Sequence, residues 1–240
     1  MGTILLKNIV SEGIASDILI EGNLIAKVVP SDNQIVVPEG TEVVDCTGMV
    51  AFPGFVNMHT HAGMSMMRGV GEDIRFHEWL DRIWDIEENI DADYVYCATK
   101  MACLEMIKTG TTTFNDQYWY MPMAYKAASE MGIRSVLSYV ICDRNDPQES
   151  ERQKVQCREM FEASKAWAST SMFVISVHAI YSVMESMILW ASEFAKENGL
   201  KLHIHLSETE KEVEDCKMTH GGMSPVEYLD SLGVLGPHVI

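Results

Sequence analysis

The segment "NMHTHAG" (residues 57–63) decides how this chain is interpreted. It follows an apolar run, "MVAFPGFV", and places His59 and His61 two residues apart. Alternate side chains of a β-strand share one face, so two imidazoles at this spacing can converge on one ion. The chain has 8 histidines in 240 residues, and roughly 0.3 such pairs are expected by chance, a risk that any short motif carries. A second pair, His203 and His205, also occurs. The spacing alone therefore leaves a metal site and a chance pair both open.

The composition narrows the class of protein. With 240 residues and 47% hydrophobic content, the chain can bury a substantial core. A net charge of -17 argues against a nucleic-acid partner, which needs clustered Lys and Arg. The 6 cysteines are scattered without a C-x-x-C motif, which is typical of reduced thiols. The N-terminus shows no signal-peptide pattern, and no run approaches the ~18 apolar residues of a membrane span. We therefore expect a cytoplasmic protein with no membrane partner.

The pattern of predicted secondary structure changes near residue 50. Residues 1–50 contain short β-rich runs separated by Gly, Pro, Asn and Asp turns, which predicts a small all-β module or half of one. Residues 51–240 alternate strands with helices. A long helix is predicted from an N-cap at Asp91 to Gly110, and others over about 121–131, 148–167 and 184–195. Alternation of this kind indicates parallel βα units.

Five strands and the opening of a sixth are predicted after the β module. A doubly wound sheet usually carries a G-x-G-x-x-G turn after its first strand, and here that strand ends in H-x-H. A (β/α)₈ barrel needs eight strands and about 250 residues. The pattern therefore fits a barrel that is cut short. The first strand, continuously apolar, is expected to be buried on both faces.

Three of the predicted strands end in histidine. The pair in "NMHTHAG" ends the first, His178 ends "VISVHAIY", and His205 ends "LKLHIHLSE", with Glu208 at the turn that follows. Parallel sheets and barrels place their active sites at this end. Imidazoles beside a carboxylate suit a catalytic zinc, which takes about three protein ligands and activates water near neutral pH.

Each of these residues also has a structural interpretation. For His178 taken alone, a buried histidine bonded to backbone is the preferred interpretation, and Glu208 could be a helix cap or a solvated acid. His203 lies deeper in its strand, and a structural role is the preferred interpretation there. His77 and His220 lie in polar segments and receive no role.

Five segments resemble the amidohydrolase superfamily, and more closely its 5-methylthioadenosine/S-adenosylhomocysteine deaminase and chlorohydrolase branch. They are "PGFVNMHTH", "MMRGVGEDIRFHEWL", "EMIKTGTTTFND", "SVHAIYSV" and "HIHLSET". The resemblance covers essentially the whole chain. It implies a metal-dependent (β/α)₈ barrel, here truncated after about five and a half βα units. Residues 1–50 would be the N-terminal part of a composite β-sandwich and residues 51–240 the first part of the barrel.

The resemblance also implies roles for individual residues. His59, His61 and His205 would bind one divalent metal ion, Zn²⁺ first, with Fe²⁺ or Mn²⁺ as alternatives. Glu208 would move protons and contact the heterocycle, and His178 would contact the substrate. Two further substrate contacts are implied by "FHEWL" and "IWDIEEN". Trp79 would pack against the purine, although it is equally consistent with an ordinary apolar helix residue. Glu87 would bind the ribose hydroxyls, with Glu88 as the alternative.

Three departures from the family pattern qualify these expectations. The family's sixth-strand histidine and eighth-strand aspartate, the latter a metal ligand and base, do not occur before Ile240, so we expect this stretch to be a fragment and inactive alone. Arginines for the carboxylate of S-adenosylhomocysteine are expected after the third strand. Tyr139 stands at one such position, and Arg144 or Arg152 would substitute only loosely. Asp85 replaces a common proline, with little expected effect.

The sequence thus favours a metal-dependent hydrolytic deaminase of an aminated purine nucleoside or a related heterocycle. A guanine deaminase, a triazine chlorohydrolase and a non-catalytic amidohydrolase-like scaffold are the alternatives. The expected partner is a small heterocyclic molecule, with a homo-oligomer also open. The P-C-x-x-C motif of the small zinc nucleobase deaminases is absent from the sequence.

Overall fold

The computed structural model describes residues 2–33 and 35–240. Their internal contacts divide them into two compact units, Met1–Gly54 and Phe55–Ile240. No helix within the described ranges combines the length and the apolarity that crossing a membrane requires.

The N-terminal unit is a four-stranded sheet with the order β3-β2-β1-β4. Its strands are β1 (Thr3–Ser11), β2 (Ile14–Glu21), β3 (Leu24–Pro30) and β4 (Glu42–Asp45). The first three pair antiparallel, and β4 pairs parallel with β1. Glu12 and Gly13 make the two-residue turn between β1 and β2 with φ of 51° and 81°. Such left-handed turns match the twist of a hairpin, and glycine adopts them without a steric penalty. The small core of this unit is formed by Ile9, Ile18 and Cys46.

The second unit contains five parallel strands in sequential order. They are β5 (Phe55–Thr60), β6 (Thr111–Gln117), β7 (Arg134–Ile141), β8 (Ser171–Val177) and β9 (Leu202–Ile204). A doubly wound sheet would reverse its order at one point, whereas this sheet continues in one direction as a barrel does. The sixth strand begins where predicted, because Val239 bridges Leu202 in parallel. The predicted truncated (β/α)₈ barrel is confirmed as a curled half-barrel.

Helices follow the strands. They are α1 (Phe76–Glu87), α2 (Ala92–Lys108), α3 (Met121–Met131), α4 (Pro147–Ser164), α5 (Glu185–Asn198), α6 (Glu210–Thr219) and α7 (Pro225–Ser231), with a 3₁₀ segment at Ala62–Met67. The Asp91 carboxylate caps α2 by accepting the Tyr94 N–H at 2.8 Å, as its position predicted. Helix α4 ends before residue 167 because the chain tightens into a turn there, and Trp167 stacks on Tyr125 with ring centroids 4.5 Å apart.

Strand β5 differs from the prediction. It was expected to be buried on both faces, but Phe55 is 67% exposed, and Val56 and Met58 are exposed as well. The physical reason is its place in the sheet order: β5 lies at an edge and pairs only with β6. The continuous run of apolar residues predicts the strand correctly, but it does not indicate how many other strands or helices cover that strand.

The core of the half-barrel lies between the sheet and its helices. Each of the strands β6 to β9 contributes a fully buried apolar side chain, respectively Phe114, Leu137, Ile175 and Leu202. Helix α5 packs against β8 and β9 with Met187, Ile188 and Ala191, which lie on one face at helical spacing and are also fully buried. This packing fixes the strands whose carboxyl ends carry the candidate site.

The core predicts a difference between two positions in one strand. Ile175 is 0% exposed and Met172 is 49% exposed, both in β8. We expect Ile175→Ala to lower the free energy of unfolding by about 2–5 kcal/mol, because it opens a cavity in a close-packed core. Met172→Ala should change it by about 0.5 kcal/mol or less. Urea unfolding followed by circular dichroism measures both, and equal effects would contradict the assigned packing.

Candidate metal centre

Three imidazoles converge at the carboxyl ends of the two edge strands. His59 lies near the end of β5, His61 follows that strand, and His205 follows β9. The Nε2 atom of His59 lies 3.2 Å from that of His61, and the Nε2 atom of His205 lies 3.3 Å from each. Together they form a candidate site for a metal ion. The two histidines of one strand and a third from the opposite edge thus meet at one point.

The other nitrogens of these rings face hydrogen-bond acceptors. The His61 Nδ1 atom lies 2.6 Å from the Gln117 carbonyl, and the His205 Nδ1 atom lies 2.9 Å from the His178 carbonyl. A carbonyl only accepts, so in both rings Nδ1 carries the proton and Nε2 carries a lone pair. Fixing the tautomer through the outer nitrogen is how proteins orient histidine ligands toward a metal.

His203 holds the third ring. Its Nε2 atom lies 3.0 Å from Nδ1 of His59, and its own Nδ1 has no partner among the described residues. His203 is buried in β9, and among the described residues of the site its ring contacts that of His59. This position agrees with the predicted structural role of His203, which is to orient the ring of His59.

The residues fit a metal ion. Ligand nitrogens about 2.0–2.1 Å from a tetrahedral zinc lie about 3.3 Å from one another, which is the spacing of the three Nε2 atoms. Burial lowers the pKa of His59, and burial together with the neighbouring His178 lowers the pKa of His205 to about 3. Rings that stay neutral keep their lone pairs available, as metal ligation requires. In the tautomer in which His59 donates to His203, three lone pairs point toward one place and repel one another without a cation.

A buried carboxylate fixes the loop that carries His61. The Asp116 Oδ1 atom accepts the Thr60 hydroxyl at 2.8 Å and the Ala62 N–H at 2.6 Å. Burial raises the pKa of Asp116, against these hydrogen bonds. The residues before and after His61 are therefore both tied to the end of β6.

A cavity of about 390 Å³ opens above the three histidines. All seven residues predicted for the site line it: His59, His61, Trp79, Glu87, His178, His205 and Glu208. Its walls are otherwise largely aromatic, with Phe76, Trp84, Tyr118 and Trp119 among them. An apolar, aromatic pocket with a few polar groups at one end suits a flat heterocyclic molecule.

Helix α1 supplies one wall. Trp79, Ile83 and Glu87 are spaced four residues apart, so they share one helix face, and all three line the cavity. The Glu87 carboxylate accepts the Trp119 indole N–H at 3.0 Å. Glu88, the alternative to Glu87, lies off this cavity and approaches Arg144 at 3.9 Å.

Two polar groups face the cavity from the ends of β8 and β9. The Nδ1 atom of His178 lies 2.7 Å from the Ser182 hydroxyl, and burial lowers the pKa of this imidazole to about 4. The ring is therefore neutral near pH 7. Burial raises the pKa of the Glu208 carboxyl, with the nearby Glu212 as a second cause. A raised pKa suits a carboxyl group that carries a proton.

A second chamber of about 610 Å³ adjoins the first and shares Trp84, Glu87, Tyr118, Trp119 and Val140 with it. Its other walls include Tyr139, Arg144, Arg152 and Gln156. Both arginines are engaged. Arg144 lies over the Trp84 ring at 5.4 Å and near Glu88, and Arg152 pairs with Glu149.

Some residues of the site were missed from sequence. Tyr118 and Trp119 follow β6 directly and line both chambers, while Asp116 and Gln117 hold His61. The available signal was the polar and aromatic run "NDQYW" at the carboxyl end of a strand, where barrel sites form. Gly63 is also required, because a methyl group there would lie 2.0 Å from the Tyr118 ring.

Relatives of this chain include proteins named as deaminases. A 5'-deoxyadenosine deaminase of Methanothermobacter thermautotrophicus is 38% identical over 225 residues, which is 93% of this chain and 52% of that protein. A 5-methylthioadenosine/S-adenosylhomocysteine deaminase of Thermococcus sibiricus is 38% identical over 232 residues, 95% of this chain and 53% of that protein. The chain therefore spans about half the length of the curated relatives it matches.

The fold has a match of known structure. An adenosine deaminase from Xanthomonas campestris, crystallised with bound zinc, superposes with a TM-score of 0.85 at 24% identity, over 99% of this chain and 56% of that one. The model of the amidohydrolase family matches residues 50–240. The half-barrel, its histidines and these similarities lead to one conclusion: the chain belongs to the amidohydrolase family.

Proposed function

We propose that the protein is a metal-dependent hydrolase that deaminates an adenosine-type nucleoside. The observation that carries the proposal is the convergence of three Nε2 atoms, 3.2–3.3 Å apart, below an aromatic cavity that Glu208 also lines. The relatives named as deaminases of 5'-deoxyadenosine and of 5-methylthioadenosine support the same class of substrate.

In this proposal His59, His61 and His205 hold one divalent ion, for which zinc is the first candidate. Imidazole ligands suit zinc, and the similar Xanthomonas enzyme was crystallised with it. An ion held there supplies Lewis acidity that makes water nucleophilic near neutral pH. His203 keeps the His59 ring in place, Gln117 and Asp116 keep the His61 ring and its loop in place, and the His178 carbonyl keeps the His205 ring in place.

The heterocycle would lie between the aromatic walls, with its amino group toward the histidines. Trp79 from α1 packs against one side of the ring. Glu208, whose pKa is raised by burial, holds a proton at its carboxyl group and delivers it to a ring nitrogen. His178 is neutral and, with its Nδ1 engaged by Ser182, offers Nε2 for a hydrogen bond to the substrate.

The sugar would lie at the junction of the two chambers. Glu87 lines both, and its carboxylate is fixed by the Trp119 indole, so it can accept hydrogen bonds from ribose hydroxyls. The 5′ substituent then extends into the second chamber. Because Glu88 lies 3.9 Å from Arg144 and Glu149 pairs with Arg152, both arginines already have acidic neighbours, and we propose an uncharged substituent rather than an amino-acid carboxylate.

The first prediction concerns the metal. The full-length gene product should hold about one equivalent of divalent ion per chain, and His205→Ala should weaken its binding at least as much as loss of an outer hydrogen bond, about 10- to 100-fold. Metal content after dialysis, by plasma mass spectrometry, measures this. His77→Gln, an exposed histidine outside the triad, is the matched control. Unchanged metal content in the His205 variant would refute the assigned site.

The second prediction concerns proton transfer. Glu208→Gln should lower the rate of ammonia release from 5'-deoxyadenosine by about 10²- to 10⁴-fold, since a positioned acid or base contributes about this factor. Its metal content should not change, because Glu208 is not among the three ligands. Glu210→Gln, an exposed acid two residues further on, should behave as wild type. The deaminase assignment fails if wild-type protein releases ammonia from none of 5'-deoxyadenosine, methylthioadenosine, adenosine and guanine.

The third prediction concerns the 5′ substituent. We expect kcat/KM for 5'-deoxyadenosine or methylthioadenosine to exceed that for S-adenosylhomocysteine by about tenfold or more, equivalent to about 1.4 kcal/mol. Glu88→Gln frees Arg144 and should narrow this ratio. Asp85→Asn, at an exposed acid of α1 that lines neither chamber, should leave the ratio unchanged. A wild-type preference for S-adenosylhomocysteine would overturn the proposed uncharged substituent.

A further inference from the structure

We infer that Glu212, a buried acid of helix α6, is a positioning residue for Glu208. The inference rests on the proposed function for the role of Glu208 itself. Glu212 is only 5% exposed, although it lies in a charged helix, "EKEVEDCKMT". A carboxylate is seldom buried without partners, so its contacts indicate what it does.

The Glu212 carboxylate accepts two successive backbone N–H groups. Its Oε1 atom accepts the Ser207 N–H at 3.1 Å, and its Oε2 atom accepts the Glu208 N–H at 2.7 Å. Ser207 has φ of 58°, in the left-handed region that is strained for a residue with a side chain. Successive N–H groups in such a turn form a concavity that binds an anion. Glu212 supplies that anion from within the chain.

This arrangement differs from an ordinary helix cap. At α7 of the same chain, the Glu227 carboxylate returns to the N-cap residue itself and accepts the Ser224 N–H at 2.8 Å. At α6 the cap is Thr209, whose hydroxyl accepts the Glu212 N–H at 3.1 Å. The Glu212 carboxylate extends beyond Thr209 to the two residues before it. It therefore fixes the turn between β9 and α6, not only the helix end.

The consequence for Glu208 is geometric. With its own N–H bound to Glu212, the backbone of Glu208 is held, and its side chain starts from a fixed point at the cavity wall. Glu212 lines neither chamber, so it acts through Glu208 and not on the substrate. A misplacement of about 1 Å in a reacting group can cost about 10²-fold in rate.

The test compares Glu212→Ala and Glu212→Gln with Glu214→Ala, an exposed acid on the same helix. We expect Glu212→Ala to lower kcat for 5'-deoxyadenosine by about 10- to 100-fold, with metal content unchanged. Glu212→Gln keeps one acceptor oxygen and should lose less. Glu214→Ala should match wild type. Thermal unfolding shows whether each variant is folded at the assay temperature.

A double variant separates positioning from a general loss of structure. If Glu212 acts through Glu208, adding Glu212→Ala to Glu208→Gln should lower kcat no further. A full additional loss, or wild-type kcat in Glu212→Ala, would overturn the inference.

Amide hydrogen exchange tests the same contact without catalysis. The Ser207 and Glu208 amides should exchange at least about tenfold faster in Glu212→Ala than in wild type, and not in Glu214→Ala. If wild-type protein releases no ammonia, the proposed function fails while exchange still decides whether Glu212 holds this turn. Unchanged exchange at both amides would refute the inference whatever the activity.

Discussion

The candidate site depends on the electrostatic repulsion among ring nitrogens of three histidines that point toward one place. Each of His61 and His205 directs its protonated nitrogen to a backbone carbonyl, and so directs a lone pair toward the same point. The Nδ1 atom of His59 lies 3.0 Å from Nε2 of His203, and in the tautomer in which His59 donates, its Nε2 lone pair faces the same point. Neutral donors so close together repel one another unless a cation lies between them. Much of the surrounding structure serves to maintain this arrangement: the buried Asp116 beside His61, the end of β6, and the carbonyl of His178.

The walls of the cavity above the three histidines carry the other predicted site residues. Helix α1 brings Trp79 and Glu87 to one side, and the segments after β8 and β9 bring His178 and Glu208 to the other. Because these groups come from different elements, the binding surface can vary without moving the histidines. The second chamber illustrates this: Arg144 lies near Glu88 and Arg152 pairs with Glu149, and these acids do not contact the three histidines.

Sequence patterns located the strands and their histidines because both depend on local periodicity. His59 and His61 share a face by strand geometry alone, and the end of each strand was marked by polar residues. The exposure of β5 could not be predicted, since it depends on how many strands pair with it. Asp116, Gln117 and Glu212 were missed for a related reason. Asp116 accepts the Ala62 N–H from 54 residues away, and the Gln117 carbonyl accepts the His61 ring N–H from 56 residues away. Glu212 bonds to backbone N–H groups only four and five residues before it, in a turn whose conformation no short motif records.

The histidines also connect the two edges of the sheet. Strands β5 and β9 stand at opposite ends of the order β5-β6-β7-β8-β9, yet His59 and His205, 146 residues apart, are in contact. The distances among the three nitrogens therefore depend on the curvature of the sheet, because a flatter sheet would move the rings apart. An ion bound by these histidines would close a loop of that length, as a cross-link does, and would thereby restrain the curvature of the half-barrel.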